Sequence, residues 1–309
     1  MAHRTETAER IGLVVADEVA TALAEGTPVV AMESTIFSNL GLPAPGNREA
    51  FDRCEAAVRG AGAVPAVTAV LDGRPRVGLS AADVDRVLTG SSKVAERDVP
   101  VAIAQRWAEG MTTVSASVAL AHAAGVEVFA TGGIGGVHRG VEVTGDVSAD
   151  LDALAKHPVV TVCAGAKAFL DLPRTLEHLE AIGVPVLGWQ HDWFPAFYSR
   201  SVGLAMPHRV EDAATVAGVL RNRLRPDNGV LLAVPIPESA EIPAEEIEAK
   251  MLRALAAADE AGVRGPKVTP FVLARIEAET DGESIPANLA LAENNAAVAA
   301  QVARALLEA

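Results

Sequence analysis

The chain has 309 residues, and half of them are hydrophobic. A folded chain of this length buries roughly 75% of the surface that it exposes when unfolded, so a large core is available. The formal net charge of −14 argues against a general affinity for nucleic acid, which clustered lysine and arginine would provide. These numbers predict a globular protein without nucleic-acid partners, and they leave room for a small phosphorylated ligand.

Neither the cysteines nor the apolar segments suggest an exported or membrane protein. Two cysteines, Cys54 and Cys163, cannot form a disulfide framework. Residues 1–26 carry apolar residues at helical spacing instead of the continuous apolar stretch of a signal peptide. No stretch approaches 18 uninterrupted apolar residues, so no membrane span is predicted. We therefore expect a cytoplasmic location.

Short buried strands alternate with helices along the chain. A turn is predicted at residues 72–75, and Ser80 is expected to cap the helix that follows it. The predicted strands are 28–32, 64–71, 126–130, 159–163, 184–187 and 229–234. The predicted helices are 7–25, one ending near 60, 81–88, 98–109, 115–124, 150–156, a short one beginning at Lys167, 174–182, 243–261 and 287–309.

This alternation is typical of a parallel sheet covered by helices on both faces. No linker rich in glycine, serine and proline marks a boundary, so residues 1–309 are predicted to form a single α/β/α sandwich domain with a largely parallel central sheet. In such sheets ligands bind beyond the carboxyl ends of the strands. Glu33 and Lys167 each follow a predicted strand and are therefore candidates for a site there.

Lys167 lies in the apolar stretch that includes Gly165 and Ala168, an unusual position for a solvated charge. At a helix start, the macrodipole and partial burial would both lower the pKa of its amine. A neutral amine is what a Schiff-base nucleophile requires. The alternative is a lysine that extends to the surface from a helix start.

Three further features have both a chemical and a structural interpretation. Glu33 could act as a general acid or base, or it could brace the loop that follows its strand. The run 131–136, with His138 and Arg139, could bind an anion through backbone N–H groups, or it could be a sharp turn. The segment 145–150 supplies two carboxylates and a hydroxyl that suit a hard cation, or residues that cap the next helix.

Taken together, these segments resemble the pseudouridine-5′-phosphate glycosidase family, also known through indigoidine synthase A-like proteins. The resemblance covers nearly the whole chain, and the motifs occur in the family's order. They are VVAMESTIF (29–37), PAVTAVLDGRPRVGLS (65–80), KVAERDVP (93–100), MTTVSAS (111–117), VFATGGIGGVHRG (128–140), GDVSADL (145–151), CAGAKAFLDLPRTLEHLE (163–180), DWFPAFYSRSVG (192–203), NGVLLAVPIP (228–237), VTPFVLARI (268–276) and ANLALAENN (287–295).

The resemblance implies a reversible cleavage of pseudouridine 5′-phosphate by water into uracil and ribose 5-phosphate, through a lysine–sugar imine. Lys167 matches the family's nucleophile, Glu33 its proton donor, and Asp146 the carboxylate that holds a divalent metal, usually Mn²⁺. The resemblance also implies a homotrimer. The residues that match substrate contacts are Lys93, Val114, His138, Ser148, Ala149, Asp150 and Asn288. For the last of these, Asn294 and Asn295 are nearby alternatives.

One loop departs from the family's pattern. Many members carry a His-Gly-Met-Pro sequence after the EST motif, whereas residues 38–43 here read SNLGLP, one residue longer and without histidine. Two other functions stay open on the residues alone. One is a Schiff-base aldolase or lyase that acts on another sugar phosphate, and the other is a non-catalytic sensor of nucleotides or sugar phosphates.

Overall fold

A computed structural model describes residues 2–263, 265, 268–280 and 282–309. The strands in this part of the chain are β1 (Val14–Val15), β2 (Val29–Met32), β3 (Val64–Leu71), β4 (Arg74–Val77), β5 (Lys93–Val94), β6 (Glu109–Thr112), β7 (Val128–Ala130), β8 (Val160–Cys163), β9 (Val186–Trp189), β10 (His208–Val210) and β11 (Val230–Ala233).

The helices in the same residues are α1 (Ala2–Ile11), α2 (Asp17–Glu25), α3 (Gly46–Gly60), α4 (Ala81–Thr89), α5 (Val99–Ala104), α6 (Val114–Ala124), α7 (Val141–Thr144), α8 (Ala149–Lys156), α9 (Leu172–Ile182), α10 (Ala213–Arg221), α11 (Ala244–Glu260), α12 (Val268–Glu279) and α13 (Ser284–Glu308). None of them is both long and apolar enough to cross a membrane.

The strands form one largely parallel sheet in the order β1-β4-β3-β2-β7-β8-β11-β9-β10. The exceptions are β4 and β6, which pair antiparallel with the carboxyl half of β3. The central strands β2, β8 and β11 are buried along their whole length, as expected of valine-rich strands covered on both faces. The predicted α/β class and the largely parallel sheet are confirmed.

Two groups of helices cover the sheet. Helices α3, α10 and α13 pack together, and α13 lies against β2, β7 and β8. Helix α6 packs against α1 and α8 and contacts the strands β2, β3 and β7. This is the three-layer arrangement predicted from the alternation of elements. The parallel pairing of β2, β7, β8 and β11 brings their carboxyl ends to one edge, where the polar loops meet.

Two predicted helices are wrong in their bounds. The helix predicted over 7–25 is interrupted at Gly12, whose φ of +62° ends α1, and the short β1 then joins the sheet beside β4. The helix predicted over 98–109 ends at Ala104, and Glu109–Thr112 forms β6 instead. In both cases pairing with a neighbouring strand, which the local pattern does not show, overrides the helical spacing.

Local signals gave the right answer elsewhere. Ser80 caps α4 through a reciprocal pair of hydrogen bonds with Asp83. Asp72 and Gly73, both at positive φ, make the tight turn between β3 and β4. Turn and cap signals of this kind depend on a few neighbouring residues, so they can be recognised without knowing the tertiary structure.

Candidate active site

A cavity of about 520 Å³ opens at the carboxyl edge of the sheet. Its wall contains residues from the ends of β2 and β5, the start of α6, the loop after β7, the start of α8, the turn after β8, and α13. All ten residues that the resemblance matched to catalytic, substrate or metal positions line this cavity, and their roles stay predictions. They are Glu33, Lys93, Val114, His138, Asp146, Ser148, Ala149, Asp150, Lys167 and Asn288.

Glu33 directly follows β2 and is only 7% exposed. Its Oε1 accepts a hydrogen bond from the hydroxyl of Thr131, which follows β7. Burial raises the pKa of the Glu33 carboxyl, against the opposing effects of the Lys167 charge and the Thr131 hydrogen bond. A carboxylic acid that keeps its proton towards neutral pH is suited to general acid catalysis.

A buried chain of hydroxyl groups supports the segment that carries Glu33. The Ser34 hydroxyl lies 3.0 Å from that of Thr112, which lies 2.8 Å from that of Thr68, and Thr68 donates to Ser117 at 2.8 Å. The backbone of Thr35 is tied to the same strand end through its N–H bond to the Thr112 carbonyl. Because buried hydroxyls are satisfied by one another, the position of Glu33 is fixed by several hydrogen bonds.

Lys167 lies half-buried in a turn, and its ammonium donates to the carbonyl of Gly133 at 2.9 Å. The short helix predicted to begin at Lys167 is wrong, because the next helix, α9, begins only at Leu172. The macrodipole argument therefore does not apply to this amine. The backbone of Lys167 is held by its N–H bond to the carbonyl of Ile134, which ties the turn to the loop after β7.

A second amine, Lys93, lines the same cavity. Burial lowers the pKa of the Lys93 ammonium, and the nearby charge of Lys167 lowers it further. Lys93 lies on β5, which pairs in parallel with β6. The cavity therefore holds two amines and a buried carboxyl. An amine can form an imine with a sugar carbonyl, and a carboxyl can transfer the proton that such a reaction needs.

Two backbone N–H groups of the glycine run 131–136 are already used within the protein. The N–H groups of Ile134 and Gly135 donate within the protein, to the Gly165 carbonyl and to Asp150 Oδ2. A Cβ at Gly135 would collide with the Ser148 hydroxyl. At this position glycine allows the loop to approach α8 closely.

The carboxylate of Asp150 links α8 to the start of α6 and to the loop after β7. Its Oδ1 accepts from the N–H of Ser115 at 3.0 Å and its Oδ2 from the N–H of Gly135 at 2.9 Å. Ser148 caps α8 by accepting from the Asp150 N–H at 3.3 Å. The capping interpretation of this segment is thus realised, and the same residues still line the cavity at the amino end of α8.

Asp146 and His138 lie together at the mouth, with 3.9 Å between Asp146 Oδ2 and His138 Nδ1. Burial lowers the pKa of His138, and the neighbouring Asp146 charge opposes this. No group of three or more potential side-chain ligands that could hold a metal occurs within the described residues. One partly exposed carboxylate fits a Mg²⁺ or Mn²⁺ ion that keeps most of its water and shares a ligand phosphate.

Of the three asparagines on α13, Asn288 is the one that lines the cavity. It is buried, and its Oδ1 has no hydrogen-bond partner within the residues described. Asn295 instead donates to the Thr131 carbonyl at 2.8 Å, and Asn294 donates to the Pro235 carbonyl. An amide side chain in the wall of a cavity can pair with the N–H and C=O groups of a ligand.

Several lining residues were not singled out in the sequence. Phe197 has a φ of +61° and presses its ring against Gly133, while Leu40 belongs to the lengthened loop 38–43. Arg97 and Trp107 also line the cavity. A bulky residue adopts a positive φ only when its tertiary surroundings require it, so the local sequence gave no signal for Phe197.

The family model described as Indigoidine synthase A like protein matches residues 18–305. The chain belongs to this family. Two curated relatives of the chain, from Methylobacterium nodulans and Chloroflexus aurantiacus, are each named pseudouridine-5′-phosphate glycosidase. The first is 52% identical over 94% of this chain and 87% of the relative, and the second is 51% identical over 94% and 97%.

Two solved structures share the fold of this indigoidine synthase A-like chain. The prealnumycin C-glycosynthase AlnA, crystallised with ribulose 5-phosphate, has a TM-score of 0.87 and 37% identity over 96% of this chain and 97% of AlnA. An indigoidine synthase A-like protein from Thermotoga maritima has a TM-score of 0.85 and 34% identity over 96% of each chain. The fold predicted from the sequence is therefore that of known family members.

Proposed function

We propose that this chain cleaves the carbon–carbon glycosidic bond of pseudouridine 5′-phosphate, giving uracil and ribose 5-phosphate. Curated relatives about half identical to it over nearly their whole length bear the name of that activity. The observation that carries the proposal is the enclosure of the Lys167 amine and the buried Glu33 carboxyl in one cavity. An amine and a carboxylic acid are the two groups that this reaction requires.

The leaving atom explains why a lysine is needed. In pseudouridine the sugar is attached to carbon C5 of uracil, so the usual scheme of two carboxylates around a glycosidic oxygen does not suffice. In the proposed scheme the Lys167 amine bonds to C1′ as the C1′–O bond of the ribose ring breaks, and the proton that the nitrogen loses passes to the freed ring oxygen. A covalent bond to nitrogen turns C1′ into a carbon that can lose its bond to C5.

Glu33 then gives its proton to C5. The electron pair of the C1′–C5 bond returns to the uracil ring, and the lone pair of the Lys167 nitrogen forms the iminium to C1′. Water adds to the iminium, the amine leaves, and ribose 5-phosphate is released. Run backwards, the same steps form a carbon–carbon bond, in keeping with the name of the C-glycosynthase that shares the fold.

The remaining polar residues suit the two ends of the substrate. Lys93, His138 and the amino end of α8 line one side of the cavity and suit a phosphate group. Asn288, an amide in the wall of the same cavity, suits the N–H and C=O groups of uracil. We propose that Asp146 holds a divalent metal, with Mn²⁺ the expected ion, which would help to neutralise and orient the phosphate end.

A uracil-release assay on pseudouridine 5′-phosphate, with and without Mn²⁺, tests the function. Release of one uracil per ribose 5-phosphate is the expected result. Turnover of other sugar phosphates without uracil release would favour the aldolase interpretation, and binding without any turnover would favour a sensor. The homotrimer stays a prediction of the resemblance, and the cytoplasmic location stays a prediction from the sequence. Light scattering on the purified protein tests the first, and cell fractionation tests the second.

A further inference from the structure

The register of the sheet places Thr131 beside Glu33. Strands β2 and β7 are parallel and pair Met32 with Ala130, so the next residues, Glu33 and Thr131, leave the sheet side by side. Thr131 is 5% exposed and does not line the cavity. Its hydroxyl donates to Glu33 Oε1. Thr131 therefore reaches the cavity only through the carboxyl group of its neighbour.

The backbone of Thr131 is held on both sides. Its N–H donates to the carbonyl of Val162 at 3.0 Å, which continues the pairing with β8. Its carbonyl accepts from Asn295 Nδ2 at 2.8 Å, which ties it to α13. A threonine whose backbone is fixed on both sides has little freedom in its side chain, because its β-branch already restricts χ1.

This contact makes the two oxygens of Glu33 unequal. Oε1 accepts the Thr131 hydroxyl, whereas Oε2 takes part in no hydrogen bond with the rest of the described chain. In the acid form of Glu33 the single proton is then carried by Oε2, because Oε1 already accepts from Thr131. A fixed oxygen that carries the proton is the condition for efficient delivery to a substrate atom.

We propose that Thr131 is a positioning residue that fixes the Glu33 carboxyl so that its proton sits on Oε2 and is delivered to C5 of uracil. The inference rests on the proposed function, since it concerns the proton-transfer step of that reaction. It assigns to the threonine of the TGGIGG motif a role that is separate from the packing role of the glycines after it.

The electrostatics of Glu33 support this assignment and give it a second observable. Burial raises the pKa of Glu33, while the hydrogen bond from Thr131 is among the effects that lower it. Loss of the hydroxyl would therefore let the pKa of Glu33 rise further. If Glu33 is the acid, the alkaline limb of the kcat profile should then move to higher pH.

The test compares Thr131→Val with Thr161→Val in the full-length protein. Thr161 lies on β8, is fully buried, and its hydroxyl has no hydrogen-bond partner within the described residues. The two substitutions are chemically identical, but only the first removes a bond to Glu33. We expect kcat for uracil release to fall roughly ten- to a hundredfold in Thr131→Val, part of the contribution of a general acid. Thr161→Val should stay within about twofold of the wild type.

Two further measurements separate positioning from structural damage. Imine formation between Lys167 and ribose 5-phosphate, trapped by borohydride, needs no proton at uracil C5 and should persist in Thr131→Val. Thr131→Ser keeps the hydroxyl and should retain most of kcat and the pH limb of the wild type. If Thr131→Val does not fold, the comparison of Thr131→Ser with Thr131→Ala decides instead, and Thr131→Ala should show the loss.

Wild-type kcat with an unmoved pH limb in Thr131→Val would overturn the proposal, and so would equal losses in Thr131→Ser and Thr131→Ala. A parallel loss of uracil release and imine trapping in Thr131→Val would also overturn it. Failure of the proposed function looks different, because the wild-type protein itself would then release no uracil. In that case the Thr161→Val control and the wild type would be equally inactive.

Discussion

The floor of the cavity and its rim are built differently. The floor, here Glu33 and Lys167 with Thr131 beneath Glu33, lies beyond the ends of β2, β8 and β7, and Glu33 and Thr131 are 7% and 5% exposed. The rim, here Arg97 and Asp146, has side chains that are 73% and 37% exposed. Thr131 is held by hydrogen bonds to β8, to α13 and to Glu33, and Lys167 is held by bonds to the loop after β7. At the rim, Arg97 pairs with Asp98, and the Asp146 carboxylate lies 3.9 Å from the His138 ring.

The difference follows the demands of the proposed chemistry. A proton and a nitrogen must reach particular carbon atoms, and this requires groups fixed to within a fraction of an ångström. A phosphate and a hydrated cation need charge and accessible space more than exact placement. Changes at the floor should therefore affect the chemical step, and changes at the rim should affect binding.

The largest effect is expected at the floor, from Lys167→Ala. Without the amine no bond to C1′ can form, so uracil release should fall at least about a thousandfold. Lys156→Ala is the control, because Lys156 is exposed on α8 and pairs only with Asp152. A Lys167→Ala variant that keeps a tenth of the wild-type rate would show that another group forms the covalent bond.

The hydroxyl chain beneath the floor should matter for stability. Thr112→Val removes the buried hydrogen bonds that the Thr112 hydroxyl makes with the Ser34 hydroxyl and with the hydroxyl and carbonyl of Thr68, at a cost of about 1–3 kcal/mol in the free energy of unfolding. Urea denaturation measures this cost. Thr89→Val, at an exposed hydroxyl, should change it by less than about 0.5 kcal/mol. Equal losses in the free energy of unfolding for Thr112→Val and Thr89→Val would mean that the row of buried hydroxyls does not stabilise the floor.

At the rim, Asp146→Asn should act on binding and metal dependence. We expect the KM for pseudouridine 5′-phosphate to rise about tenfold and the stimulation by Mn²⁺ to disappear, while borohydride still traps ribose 5-phosphate on Lys167. Asp152→Asn, on the exposed side of α8, should keep the metal response. Full Mn²⁺ stimulation in Asp146→Asn would place the ion elsewhere.

The smallest effect concerns the charge of Lys93. Its pKa is lowered in the folded protein, so at neutral pH the protonated form carries a penalty that unfolding relieves. That penalty starts to fall as the pH rises through the folded pKa and is gone above the pKa of the unfolded state. Lys93→Met should therefore raise the thermal midpoint at pH 7 by roughly 1–3 °C and by less at pH 10, while weakening phosphate binding. A lower midpoint at pH 7 would contradict the sign.

The two regions were also not equally predictable from sequence. Glu33 and Lys167 each follow a valine-rich strand, and a parallel sheet brings the carboxyl ends of its strands to one edge. Their meeting at this edge could therefore be predicted from their positions along the sequence. Residue types made His138 and the segment 145–150 candidates, and the resemblance alone supplied Lys93, Val114 and Asn288. In contrast, the hydrogen bond between Glu33 and Thr131 depends on which strands are neighbours in the sheet. The spacing of residues along the sequence does not reveal that β2 and β7 are neighbours.

The errors have the same cause. The helix expected at Lys167 is a turn, because this backbone pairs with Ile134 of the loop after β7. Strand β6 is not predicted from the sequence, and its first residue, Glu109, falls at the end of a predicted helix, because the strands that β6 pairs with, β3 and β5, lie far away in sequence. For the glycine run, which the sequence left open between an anion site and a sharp turn, the N–H of Gly135 already donates to Asp150, a contact that only the folded chain reveals.

The most direct test of the central claim is to identify the lysine that bonds to the sugar. The protein is reduced with borohydride in the presence of ribose 5-phosphate, digested, and analysed by peptide mass spectrometry. The account predicts a single sugar adduct on Lys167 that is absent from Lys167→Ala. An adduct on Lys93, the other amine in the cavity, with Lys167 unmodified, would contradict it.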